Sequence, residues 1–360
     1  MKVSILGNSL TSLSLAKSLV NQGIKVDIFS NEKKRKYNKN QTIGISKSNI
    51  DFFNKKILNI SKFLWNIKNI EIYSENLEHQ KILDFQNRHN HLFSIVKNFN
   101  LYNHLFDNLK KNKLIHFSKK INYQNLLEKK YDLIFNCDYS NSVTKKFFHN
   151  RIEKDYNSFA YVTTFKHKRL TNNCVAVQVF TKRGPIAFLP ISSVETSVVF
   201  SIKGKENVNL ENLIKKYNLK YEISKINKVN NFELKLSNLR SYTFKNIIAF
   251  GDILHRLHPL AGQGFNMTIR DIKEINSLIE FKKKHGLELD KSIGLDFEKN
   301  LKDKNYLFSN GIDFIYEFFN FENKFNNNNL SKLVKLLGKN NLANKIFTKI
   351  ADKGISISDY

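Results

Sequence analysis

Asn246-Ile247-Ile248-Ala249-Phe250-Gly251-Asp252-Ile253-Leu254-His255-Arg256-Leu257-His258-Pro259-Leu260-Ala261-Gly262-Gln263-Gly264-Phe265-Asn266 is the stretch on which the fold turns. Residues 246–250 form the short apolar run of a strand buried on both faces, as in a parallel sheet. Residues 267–279 follow with helical periodicity. Between them lies a Gly-Asp turn and then a loop punctuated by glycines, where the backbone can approach a ligand closely. The helix start beyond it offers unpaired N–H groups and the positive end of a dipole. Strand, glycine loop and helix N-terminus, in that order, make a cradle for an electron-rich ligand.

Working outward to the N-terminus, Lys2 to Leu6 predict a strand, 13–22 a helix closed by Gly23, and Lys25 to Phe29 a second strand. This is the βαβ opening of a dinucleotide-binding domain. The usual Gly-x-Gly-x-x-Gly stands here as Gly7-x-Ser9-x-x-Ser12, with Leu10 between the serines. At the end of the second strand Ser30 stands where an acidic residue normally holds the ribose. The basic run Lys33-Lys34-Arg35-Lys36 follows it; an exposed turn is its plain reading and phosphate contact the sharper one. From 158 to 205 the pattern changes to long alternating strands, 160–166, 175–181, 186–190 and 196–202, which predict an antiparallel sheet.

At these residues the chain resembles the ubiquinone-biosynthesis hydroxylase family of FAD-dependent aromatic-ring monooxygenases. The resemblance is carried by Gly251-Asp252, His258-Pro259, Ala261-Gly262-Gln263-Gly264, Asn266 and Arg270-Asp271. It is supported by Gly184-Pro185-x-Ala187-x-Leu189-Pro190 in the sheet and by Asp138 and Ser142 after the strand near 131–137. It implies an α/β fold with a para-hydroxybenzoate-hydroxylase-like layout: an interrupted Rossmann-like FAD domain (1–67, 90–153 and 241–285), an inserted antiparallel-sheet substrate domain (68–89 and 154–240) and C-terminal helices (286–360). All three prolines, Pro185, Pro190 and Pro259, fall on motif positions, where they fix the backbone.

The resemblance also implies chemistry. Reduced FAD adds O2 at its C4a carbon, and the distal hydroxyl of the resulting hydroperoxide passes to an activated ring, here a polyprenylated phenol or quinol. Cofactor contacts are expected from Gly7, Ser9, Leu10, Ser12, Ser30, Gln41, Asp138, Gly251, Asp252, Gly262, Gly264, Phe265 and Asn266. Pro259, Gly262, Gln263 and Gly264 would face the reacting flavin, and no side-chain base is identified. The family has an arginine where Gln41 stands and a glycine where Tyr139 stands. The electron donor stays open between NAD(P)H and a ferredoxin-type protein, because Tyr139 falls in the turn implicated in nicotinamide use. The rival expectation is a non-catalytic or weakly FAD-binding relative, serving as a binding or scaffold subunit of the quinone-synthesis machinery.

Composition bounds the alternatives. The chain has 360 residues, 41% hydrophobic and 12% aromatic, which excludes a disordered polymer. The formal net charge is +27. Its lysines are scattered rather than clustered, which favours compositional bias over an anionic membrane surface, and the membrane over nucleic acid. No apolar run is long enough to span a bilayer and no signal peptide is evident, so the expectation is a cytoplasmic protein, with peripheral attachment to the inner face of the cell membrane as its extension. Cys137 and Cys174 form no metal or disulfide pattern. His255 and His258 lack the further ligands of a metal site. A single tryptophan, Trp65, excludes the Trp-x-Trp of flavin halogenases. Residues 330–350 read as a basic amphipathic helix or pair of helices.

Overall fold

The computed structural model describes residues 1–32, 34–86, 91–119, 125–126, 131–204, 208–259, 262–324, 331–332, 335, 349 and 352–353. Ile247–Ala249 is a strand with no exposed position and pairs in parallel with Leu133–Asn136. That strand pairs in parallel with Lys2–Leu6, which pairs with Lys25–Ser30, which pairs with Ile115–Lys119. Four neighbouring parallel pairs demand apolar side chains on both faces, and Val3, Ile5, Ile28, Phe135 and Ala249 are all fully buried or nearly so. Helices Leu10–Asn21, Asn98–Lys110 and Gln263–Lys284 supply the apolar stripes that cover the sheet, through residues such as Leu19, Leu105 and Ile269. Each large apolar side chain so buried contributes about 1.5–3 kcal/mol relative to exposure.

A second sheet runs from His255–Arg256 through Asn230–Leu239, Arg151–His167, Glu195–Lys203, Gly184–Pro190, Val175–Thr181 and Asn69–Ser74 to Gln80–Gln86. Its pairs are antiparallel except Val175–Thr181 with Asn69–Ser74. One face packs Phe165, Phe188 and Phe200 against the helix Leu210–Tyr217. The other packs Phe180, Leu234 and Leu236 against Tyr316 and Phe319 of the long helix Ser292–Lys324. Phe180 and Phe319 stack with ring centroids 3.6 Å apart.

A three-stranded sheet, Thr42–Ser46, Phe93–Lys97 and Trp65–Ile67, joins the two. Thr42 donates a hydrogen bond to Ser197 at 2.8 Å, and Lys97 pairs with Glu195 at 2.7 Å. Several boundaries differ from the sequence expectation, mostly by extension, although the strand expected at 246–250 is shorter, Ile247–Ala249. The first helix starts at Leu10 rather than 13, because Ser9 caps it. The strand expected at 160–166 runs from Arg151 to His167, held on both edges by partners. Within the C-terminal helices expected over 286–360, one helix runs from Ser292 to Lys324, with its later turns packed on the second sheet. The helix Gln263–Lys284 ends on Lys282, Lys283 and Lys284, which sit favourably at the dipole's negative end. Most of the amphipathic tail expected at 330–350 lies outside the described residues.

Candidate active site

After Ala249 the chain makes a single 3-10 turn, Gly251–Ile253. Gly251 has φ +66°, and a Cβ there would stand 2.6 Å from Thr11 Cγ2 on the first helix. Only glycine brings the turn this close to the first helix, so the two ends of the dinucleotide fold meet at this point. Asp252 lies exposed at the turn. Two residues later the backbone leaves the parallel sheet: His255 and Arg256 pair with Asn238 and Ser237 of the second sheet. The motif therefore bridges both sheets before returning to the helix at Gln263, a crossing the sequence pattern did not announce.

The helix opens four residues earlier than its apolar period suggests. Gly262, at φ +63°, is its N-cap and provides no side-chain acceptor for the first-turn N–H groups. Gly262 lies against Gly44, where a Cβ would meet the Gly44 nitrogen at 3.4 Å. Gly264 is exposed, and a Cβ there would meet nothing within 4 Å. Phe265 is half-buried, Gln263 is buried, and its Oε1 has no partner among the described residues. The stretch 262–265 thus presents open backbone at the positive end of a 22-residue helix. Pro259 is half-buried beside it, and Leu260 and Ala261 lie outside the described residues.

Asn266 works inward. Its Oδ1 accepts from the Ser46 N–H at 2.9 Å and from Asn49 Nδ2 at 2.9 Å. Its Nδ2 donates to the carbonyls of Gly44 at 3.0 Å and Gly262 at 3.2 Å. This side chain is the clip that fixes the loop to the strand Thr42–Ser46. Asp271 has a similar role: it is fully buried and joins His255 Nε2 at 2.7 Å and Asn305 Nδ2 at 3.0 Å. His255 is therefore engaged by a carboxylate rather than presented to a metal. His258 is buried between Tyr156 and Tyr316, with ring centroids 5.4 Å and 4.1 Å away, and neither ring nitrogen has a partner among the described residues. Burial pulls its pKa down to about 3, so the ring is neutral.

At the other end, Gly7 has φ +108° and packs beside Asp138. Ser9 and Ser12 form a reciprocal capping box: the Ser12 N–H donates to Ser9 Oγ at 3.2 Å, and the Ser9 N–H to Ser12 Oγ at 3.2 Å. The Leu10 N–H donates to Tyr37 Oη at 3.1 Å. Ser30 donates to the Glu32 carbonyl at 2.5 Å. Beside it an open cleft of about 540 Å³ is lined by Glu32, Lys34, Arg35 and Lys36. Gln41 is half-buried on the approach to Thr42–Ser46. Asp138 Oδ1 accepts from the N–H and hydroxyl of Ser140 at 2.9 and 2.7 Å, closing the turn. Asn136, fully buried, locks this turn through Thr144 and Asn141, each at 2.7 Å. Tyr139, at the motif's glycine position, lies under Arg256, whose guanidinium carbon is 3.7 Å from the ring centroid, with Arg151 at 4.8 Å. Two cations thus hold the bulky ring in place.

Sequence reasoning missed Tyr37, Asn136 and the inward role of Asn266. The first two carry no motif; a tyrosine seven residues beyond a dinucleotide fingerprint's second strand gives no periodic signal.

No protein-family model matches the chain. Over 241 residues, 53% of this chain and 50% of the other, it is 24% identical to the mitochondrial ubiquinone biosynthesis monooxygenase COQ6 of Schizosaccharomyces pombe. Over that span the chain is similar to a ubiquinone-biosynthesis hydroxylase. The match spans about half the length of that curated relative. In three dimensions the chain superposes on HpxO of Klebsiella pneumoniae, solved with FAD and uric acid, with a TM-score of 0.76 at 12% identity, covering 98% of this chain and 97% of the other. PqsL of Pseudomonas aeruginosa, described as a probable FAD-dependent monooxygenase, gives 0.72 at 14% identity, covering 93% and 99%. The fold of the chain is that of the FAD-dependent monooxygenases. Among its described residues no helix is long and apolar enough to cross a membrane, and no cluster of His, Cys, Asp or Glu could hold a metal ion.

Proposed function

We propose that the chain is a FAD-dependent monooxygenase that hydroxylates the ring of a polyprenylated phenol or quinol in ubiquinone synthesis. The observation that carries this reading is the run of first-turn N–H groups at 263–265, at a helix start whose N-cap, Gly262, offers no side-chain acceptor. The residues fit a flavin at this end: glycine at 264 leaves space, and the helix dipole favours the negative charge of a reduced ring. When bound, FAD supplies the electrons and the oxygen transfer.

The chain's own part is to hold and screen. In this reading the backbone from Gly262 to Asn266, with Pro259, lies along the flavin ring. Asp252, which sits exposed at the tip of its turn, takes the ribityl or phosphate portion. The inner face of the second sheet covers the substrate, and its seal against Phe319 and Tyr316 excludes water. A greasy substrate suits recruitment to an anionic bilayer, where each nearby Lys adds about 1 kcal/mol of attraction. Tyr139, clamped by two arginines at the motif's glycine, favours an electron donor other than a nicotinamide docked in that turn.

The test is reconstitution. Purified protein supplied with FAD should retain it, and Asp252→Ala should weaken retention about 10-fold or more while leaving the melting temperature within a few degrees. Unchanged flavin content in that variant contradicts the role given to Asp252. The second reading, a binding or scaffold subunit, draws on the Ser9–Ser12 capping box, which already satisfies N–H groups a pyrophosphate would use. A colourless protein that FAD cannot restore decides for it.

A further inference from the structure

The first helix of a dinucleotide fold receives the pyrophosphate on its N-terminal N–H groups. Here those groups are already engaged by the protein. The Ser12 N–H is taken by Ser9 Oγ at 3.2 Å, and the Leu10 N–H by Tyr37 Oη at 3.1 Å. The serine box is local to the helix. Tyr37 is not: it reaches in from the loop after the second strand, 27 residues on.

The tyrosine is braced for this position. Its ring lies against Tyr102, with centroids 4.9 Å apart. Tyr102 in turn accepts from the Arg35 N–H at 2.9 Å and donates to Asn8 Oδ1 at 3.0 Å, so both tyrosines tie their loop to the glycine turn. The Arg35 guanidinium stands 5.5 Å over the Tyr37 ring. Burial, with the charge of Asp252 nearby adding to it, holds the Tyr37 hydroxyl protonated. A neutral hydroxyl thus stands at the helix start, within electrostatic reach of Asp252. The Lys34–Arg35–Lys36 side of the same loop borders the open cleft at the end of the second strand.

We infer that Tyr37 is an internal stand-in for the nucleotide's pyrophosphate: its hydroxyl holds the Leu10 N–H until the dinucleotide displaces it, and this exchange sets cofactor affinity. The inference rests on the FAD reading and adds a residue that no motif marks. It also gives the serine substitutions a consistent sense. Ser9 and Ser12 satisfy each other's N–H groups and Tyr37 covers that of Leu10, so three donors of the helix start are engaged before any nucleotide arrives.

The experiment titrates flavin-free full-length protein with FAD, ADP and riboflavin, reading flavin fluorescence for the first and third and heat for ADP. Tyr37→Phe removes the competing hydroxyl and should tighten FAD and ADP about 5- to 10-fold, leaving riboflavin, which has no pyrophosphate, unchanged. Tyr37→Ala, which removes the ring as well, should tighten both at least as much. In the wild type, exchange of the Leu10 amide should be slow both without and with nucleotide, the partner changing while the protection stays. Equal or weaker FAD and ADP binding by both folded variants overturns the inference and leaves the FAD reading standing. Failure of wild type and variants alike to bind FAD overturns the FAD reading itself, and the inference with it.

Discussion

His258 shows how one residue can look functional for two opposite reasons. Its imidazole is buried, stacked on Tyr316 and edge-on to Tyr156, and both nitrogens lack partners among the described residues. Its pKa falls to about 3 from an ordinary 6.5 because burial penalises the charged form. The sign of the linkage follows. The unfolded chain takes up the proton as pH falls below about 6.5, and the folded protein does not until about 3, so this residue's stability is complete above the first value and is lost on the way down. Between about pH 7.5 and 5 the loss should be about 2 kcal/mol. Urea midpoints for wild type and His258→Phe at both pH values check this: the variant should show the shallower dependence. Equal slopes would mean that the imidazole reaches water. At this scale the sequence was readable for the glycines of the motif, since backbone constraints are written in residue type. It was unreadable for Tyr37 and His258, whose roles depend on which distant side chains fold over them.

Among the elements, the loop from Gly251 to the start of the Gln263–Lys284 helix carries the most information and held the largest surprises. Its apolar periodicity begins at Met267, but the helix begins at Gln263 because Gly262 can take the left-handed cap and Asn266 can reach back to the Gly262 carbonyl. The strand His255–Arg256 is too short to have any period, and its pairing with Asn230–Leu239 is a tertiary event. By contrast, the strands 175–181, 186–190 and 196–202 were readable almost to the residue, because alternation on a two-faced sheet is a local signal. Asn266 tests how far this loop depends on one side chain. Asn266→Ala strands the Ser46 N–H, the Asn49 amide and the Gly44 carbonyl in a buried site, and should cost about 2–4 kcal/mol in unfolding free energy. A urea midpoint within error of wild type would show that the loop is held elsewhere.

For the whole molecule, the architecture follows from two kinds of apolar pattern meeting at one seam. Continuous runs build the parallel sheet, alternating runs build the antiparallel one, and the Thr42–Ser197 and Lys97–Glu195 contacts close the seam between them. The large positive charge lies outside this logic: 59 basic against 32 acidic residues are spread over helices, strands and loops alike, which fits compositional bias better than a single recognition patch. The account claims that this assembly positions a flavin to place oxygen on an aromatic ring. The most direct test expresses the chain in a quinone-deficient strain lacking its own ring hydroxylase, grown under heavy-isotope O2, with quinone analysed by mass spectrometry. The account predicts restored quinone carrying one heavy oxygen on the ring; an expressed, folded protein that restores no quinone, or quinone whose ring oxygen is light, would contradict it.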